Sequence, residues 1–292
     1  MTQNDFSKMI FQSYGAVTRA RGCFLYTKKG VRLTDLFLEN GRAILGWEGG
    51  SAFTYFKNIL SKGLTGSFFC EDRENPKRID RAVSELLKSE RKVFFFHTKM
   101  EALKTGLLFS PDSTCVYKPW SGEEGIYSKS KCVIIQPPLP WTNSLFILAV
   151  QIDAKLSDIN KSLSAEEGSC DGENSCSKNS GINAQLAAGL ISEKIPFALE
   201  TAVTRAIYNL IAEIPARQEK DWFIYDTVLT KYWERKGPYL FPKVPEEKYE
   251  AFVKHCLKME IAVNPDYNGF SIVPFGADKG VFTKLKNSPF VF

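Results

Sequence analysis

The sequence predicts an α/β protein, with a three-layer αβα domain built on a mostly parallel sheet and a smaller α+β domain toward the C-terminal end. Three observations carry this expectation. Strand, turn and helix signals follow one another over residues 31–66. The run Val93-Phe94-Phe95-Phe96 is apolar throughout, as suits a strand buried on both faces of a sheet. The order strand, helix, strand, strand runs over residues 237–275.

Taken in order, residues 1–26 read as a helix followed by a short strand within RGCFLYTKKG, which ends on a Gly turn. Val31, Leu33 and Leu36 then mark a strand. The chain turns through Asn40-Gly41, and a second apolar run closes on Gly46 before a helix carrying Phe53, Phe56 and Leu60. Residues 76–89 form an amphipathic helix with Ile79, Val83, Leu86 and Leu87 on one face. The strand at 93–96 leads into His97-Thr98-Lys99-Met100-Glu101-Ala102, where a second helix opens with Thr98 as a ready N-cap.

Two further apolar runs, CVIIQP over 132–137 and LFILAVQI over 145–152, read as buried strands. Residues 157–181 are rich in Ser, Asn, Glu and Gly without apolar period, so they bury too little to offset the entropy of ordering them and are expected to form an exposed loop. Ala198, Ala202, Ala206 and Leu210 recur every four residues in a long helix over 195–215, and residues 222–233 are expected to form another. A helix over 246–259 and short strands over 261–265 and 270–275 complete the chain.

Composition excludes several classes of function. With 44% hydrophobic and 24% charged residues, the 292-residue chain is long enough for two cores. Its net charge of +5 is spread among alternating acids and bases, as over 71–92, which speaks for solvated helix faces and against a nucleic-acid footprint. No stretch has the make-up of a secretory leader, and none approaches the roughly eighteen apolar residues of a membrane span, so a cytoplasmic protein is expected. The seven cysteines then read as reduced thiols. Cys170 and Cys176 lie close in sequence, but only His97 and His255 could complete a metal set, so no metal is expected. Neither histidine lies beside a nucleophile elbow.

Several segments share motifs with one family. Asp35, Gly41, Ile44, Leu45 and Gly46 match "D-x-x-x-x-x-G-x-x-I-L-G-H", with Trp47 in place of His. Thr98, Glu101 and Ala102 match a strand-to-helix "N-S-G-T-E-A", with Lys99 in place of Gly and Met100 in place of a hydroxyl residue. Lys118-Pro119-Trp120-Ser121-Gly122 falls where the family has an aromatic-His-Gly turn, and CVIIQP resembles "V-I-V-E-P" with Gln136 for Glu. On these segments the chain resembles the class III aminotransferases and the glutamate-1-semialdehyde aminomutases, transferases of the pyridoxal-phosphate fold, in a shortened and degenerate form.

Thr98 and Lys99 stand where the helix start would hold the phosphate of pyridoxal phosphate, and Trp120 where an aromatic ring would stack on the cofactor. Val150 occupies the position of the Asp that keeps the pyridine nitrogen protonated, and a neutral pyridine is a poorer electron sink. Asp153, three residues on, faces the other side of a strand. The family separation from Val150 arrives at Lys178 as the Schiff-base lysine, although a catalytic lysine wants a shielded pocket and this one has polar neighbours.

The resemblance divides the chain into an N-terminal segment, 1–50, that joins the small domain, a reduced cofactor-type domain, 51–195, and a linking helix with the small domain, 196–292. It also implies a homodimer and a small amino-compound ligand, with no nucleic-acid or membrane partner. With the phosphate cup, the pyridine partner and the lysine's shielding all altered, the expected protein is aminotransferase-like in shape, does not hold pyridoxal phosphate, and has reduced or lost catalysis. An active pyridoxal-phosphate enzyme using Lys178 and a non-enzymatic α/β binding protein are the alternatives.

Overall fold

The computed structural model describes residues 1–66, 78–141, 145–151 and 192–292. Lys178 and the polar segment 157–181 lie outside the described residues. Helix α1, Gln3–Tyr14, opens on Thr2, whose hydroxyl accepts from the Asp5 amide at 3.2 Å. Strands β1, Val17–Arg21, and β2, Phe24–Thr27, make an antiparallel hairpin, with β3, Arg32–Asp35, beside β2. The expected single strand after α1 is therefore a hairpin; β1 is mostly exposed and polar, so it carries no apolar signal. The expected second apolar run before Gly46 is a series of turns, with positive φ at Leu38, Glu39, Asn40, Gly41 and Gly46. Helix α2, Ser51–Ser61, follows.

A layered unit comes next. It contains α3, Arg78–Leu87; β4, Arg91–Phe96; α4, Lys99–Phe109; β5, Thr114–Val116; α5, Glu124–Lys129; β6, Cys132–Ile135; and β7, Phe146–Gln151. The strands run in the order β4-β7-β6-β5. Among the described residues two pairs are antiparallel, β4 with β7 and β7 with β6, and β5 and β6 are parallel. This corrects the expected mostly parallel sheet and the central place of β4, which lies at its edge. Continuous apolar runs report burial of both faces, and burial does not encode strand direction. Backbone at Glu193 covers the outer side of β4, its amide donating to the Phe95 carbonyl at 3.0 Å.

Alternation along these strands divides their side chains cleanly. Val93 and Phe95, Val133 and Ile135, and Ile147 and Ala149 join Ile79, Val83 and Leu87 of α3 in one cluster. Phe94, Phe96, Cys132, Ile134, Phe146, Leu148 and Val150 join Ala102 of α4 in another, across the sheet. Helix α6, Phe197–Ala216, adds Ala202, Ala206 and Leu210 to the first of these clusters. The result is helix, sheet, helix.

Residues 222–233 do not form the expected helix. Two short helical turns, α7 at Lys220–Phe223 and α8 at Asp226–Leu229, are followed by β8, Trp233–Lys236, which pairs with β9, Tyr239–Pro242. Trp233 is fully buried against Tyr232 and Phe252, and Asp226 is drawn to Arg235, so tertiary contacts override the local helical pattern. Helix α9, Glu246–Lys258, β10, Ile261–Ala262, β11, Ser271–Ile272, and α10, Thr283–Asn287, complete the chain. β10 pairs parallel with β3, so the two ends of the chain share one sheet. One apolar cluster accordingly unites Phe6, Leu33 and Leu36 with Trp222, Phe252, Ile261 and Phe282.

Candidate functional site

A cleft forms where the three apolar clusters meet. It encloses about 70 Å³ and takes Asn40 and Gly41 from the turns after β3, Lys99 from the start of α4, and Lys118 and Pro119 from the loop after β5. Ile134 and Gln136 of the β6 segment, Phe146 of β7, Leu210 of α6, Tyr239 of β9 and Phe270 close it. Gln136 Nε2 donates to the Asn40 carbonyl at 3.0 Å, tying two of these walls together. Neither Asp nor Glu is among the lining residues described, and the two cations are Lys99 and Lys118.

Lys118 is half-buried, and its ammonium group has no hydrogen-bond or ion-pair partner among the described residues. It lies 5.3 Å from the ring centres of Phe241 and Phe270 and 5.8 Å from that of Tyr239. Burial pushes its pKa below the ordinary lysine value, the charge of Lys99 adds to this, Glu123 opposes it and Lys236 lowers it further. The aromatic faces return part of the lost hydration as cation–π attraction. Tyr117 and Tyr239 also line the cleft, and burial raises both phenols, so they stay protonated donors.

The loop carrying Lys118 is held by the residues that follow it. Trp120 has a positive φ of 58°, and its Nε1 donates to the Ile214 carbonyl at 3.2 Å. Its ring meets Trp222 edge-on at 5.8 Å and lies 5.2 Å from the Arg217 guanidinium. Arg217 in turn is buried, bonded to the Ile44 carbonyl and to Glu213. Gly237 packs directly against the turn: a Cβ there would stand 2.2 Å from the Trp120 carbonyl oxygen.

Of the described residues assigned a cofactor role from the sequence, Thr98, Lys99 and Trp120, Lys99 lines the cleft, as do the motif residues Gly41, Ile44 and Gln136. Thr98 is the N-cap of α4, its hydroxyl accepting from the Glu101 amide at 3.1 Å while the Glu101 carboxylate accepts from the Thr98 amide at 3.2 Å. The N-cap reading of Thr98 is thus realised as a complete capping box. Trp120 is committed to Trp222 and Arg217 and does not line the cleft. Val150 lies deep in the cluster under α4, four residues from the cleft residue Phe146 along β7, or roughly 13 Å. Lys118, Tyr239 and Phe270 were not assigned roles from sequence; they are far apart in the chain, and no local pattern joins them.

No protein-family model matches the chain. An uncharacterized protein of Treponema pallidum (strain Nichols) is 27% identical over 284 residues, 91% of each chain. An uncharacterized protein of Borreliella burgdorferi is 31% identical over 118 residues, 40% of this chain and 42% of that one. Among solved structures, ornithine aminotransferase from Plasmodium yoelii matches with a TM-score of 0.53 at 14% identity, covering 98% of this chain and 100% of that one. Acetylornithine aminotransferase from Elizabethkingia anophelis matches at 0.54 and 10% identity, with 98% of each chain covered. Serine palmitoyltransferase from S. paucimobilis, solved with a bound PLP-myriocin aldimine, matches at 0.57 and 8% identity over 98% of this chain and 97% of that one. These likenesses show the fold: the chain has an α/β architecture similar to that of these solved structures. No described helix is long and apolar enough to cross a membrane.

Proposed function

We propose that this chain is a diverged aminotransferase-like protein that has kept the cleft of its fold, has reduced or lost transamination, and binds a small anionic compound between Lys99 and Lys118. The supporting observation is the charge of the cleft: two lysines and no carboxylate line it. A carboxylate or phosphate entering there meets two cations in a largely apolar setting, where the attraction exceeds that at an open surface. The ammonium of an amino compound would meet like charge, so the anionic end of any such ligand is the end the cleft holds.

The residues do not fit pyridoxal phosphate. The Thr98 hydroxyl is spent within its capping box, the Lys99 side chain stands where backbone would have to approach a phosphate, and the Trp120 ring is covered. The cleft volume of about 70 Å³ is also less than half of the roughly 150 Å³ that holds a bare benzene ring. The test is to add pyridoxal phosphate to the purified protein, follow visible absorbance, then reduce with borohydride and map the labelled peptide. Neither an aldimine band nor a stoichiometric adduct on Lys178 is expected. A single equivalent on Lys178 would instead establish an active pyridoxal-phosphate enzyme.

A further inference from the structure

We propose that Lys118 is a reactive amine that condenses directly with a small aldehyde or ketone carrying a carboxylate, the carboxylate being held by Lys99. This rests on the reading of the cleft as an anion site and adds a covalent step to it. The geometry is specific. The Lys118 ammonium reaches into a cleft with no carboxylate, has no polar partner among the described residues, and is bordered by Phe241, Phe270 and Tyr239. Lysines placed for ion pairing or solubility end on a carboxylate or in open water; this one is half-buried in a largely apolar cleft, among aromatic rings and beside a second cation. Those two conditions, desolvation and a neighbouring positive charge, shift an amine toward its unprotonated, nucleophilic form, and the lowered pKa of Lys118 accords with them, Glu123 opposing.

The step balances without an oxidant or reductant. The free pair on Lys118 Nζ forms a bond to the carbonyl carbon as the carbonyl π pair moves to oxygen. That oxygen takes up a proton, giving a carbinolamine. Loss of the hydroxyl as water, with a proton from the nitrogen side accounted for in that water, leaves a C=N bond. Amine plus carbonyl thus gives imine plus water. Tyr117 and Tyr239, whose phenols stay protonated, line the same space and are the candidate donors for the oxygen while it carries charge. The small volume of the cleft limits the partner to a compact compound such as glyoxylate.

The experiment incubates the full chain with glyoxylate and cyanoborohydride, which adds hydride to an imine and fixes it as a secondary amine, and then maps the modified peptide by mass spectrometry. One carboxymethyl group on Lys118 is expected. Lys118→Arg, which keeps the charge, should abolish it, and Lys99→Met should raise the glyoxylate concentration needed for half-labelling by about tenfold without moving the label. Propionate, which has the carboxylate and no carbonyl, should protect Lys118. If labelling is spread over exposed lysines and is unchanged in Lys118→Arg, the reactive-amine inference is overturned, and propionate binding measured by calorimetry then decides the anion site separately. If Lys118 is labelled while neither Lys99→Met nor propionate has any effect, the reactive amine stands and the anion-site reading falls.

Discussion

The indole Nε1 of Trp47 donates a 2.9 Å hydrogen bond to Oδ2 of Asp35, a carboxyl buried at the end of β3. The other oxygen, Oδ1, accepts from the amides of Phe37 at 2.9 Å and Leu38 at 3.0 Å. This one side chain therefore shapes the first turns after the strand, including the positive φ of Leu38, and so helps position Asn40 and Gly41 at the cleft. Burial nevertheless outweighs these three bonds and pushes the Asp35 pKa up from 3.8 to about 6.

A stability signature follows from that shift. The folded carboxyl holds its proton at pH values where the unfolded one has lost it, so stability falls as pH rises from about 4 to about 6 and is level above that. The shift from 3.8 to about 6 corresponds to about 3 kcal/mol. In Asp35→Asn the amide oxygen still accepts from the two backbone amides, the bond from Trp47 is lost, and nothing titrates. Urea unfolding should show the wild type gaining stability over this variant as pH is lowered from 7 to 4.5. Parallel curves for the two proteins would contradict the assignment.

Arg91 is almost wholly buried, and its guanidinium donates to the carbonyls of Tyr127, Ser128, Ser130 and Lys131, where α5 ends and β6 begins. Its pKa is lowered by burial. Arg91→Met should take the guanidinium donor from these carbonyl oxygens, of which that of Lys131 keeps the Gln151 amide, and cost about 3 kcal/mol or more in denaturant unfolding. Arg91→Lys, whose point charge cannot span the four acceptors, should recover only part of that. An unchanged unfolding midpoint in Arg91→Met would show that the carbonyls find water instead.

Gly237 has a φ of 55° and no room for a Cβ against Trp120. Gly237→Ala should destabilise the protein by about 2 kcal/mol or more through left-handed backbone strain and this clash. Because the loop that Gly237 packs against carries Lys118, labelling of that residue by glyoxylate should slow and tryptophan emission should shift red as Trp120 leaves Trp222. Unaltered emission and labelling would mean that the loop after β5 does not depend on its contact with Gly237.

The homodimer implied by the resemblance is a proposal that α4 makes concrete. Met100 is 59% exposed and Leu108 70% exposed, and with Leu107 they make an apolar stripe on its outer face. Light scattering at micromolar concentration should give twice the mass of the chain, and Leu108→Glu should return it to the monomer mass. A monomeric wild type would remove the expectation.

Much of the framework was legible because burial leaves a periodic trace along the chain. Ile79, Val83, Leu86 and Leu87 on α3, the alanines of α6, and the continuous apolar runs of β4, β6 and β7 could all be read locally, as could the N-cap at Thr98. What only the tertiary structure decided has the opposite character. Strand direction in the β4-β7-β6-β5 sheet, the commitment of Trp120 to Trp222 and Arg217, and the ring of Phe241, Phe270 and Tyr239 around Lys118 each join residues far apart in sequence. An apolar run states that a residue is buried, but which groups share that burial is settled only by long-range packing. The charge and chemistry of the cleft come from those pairings.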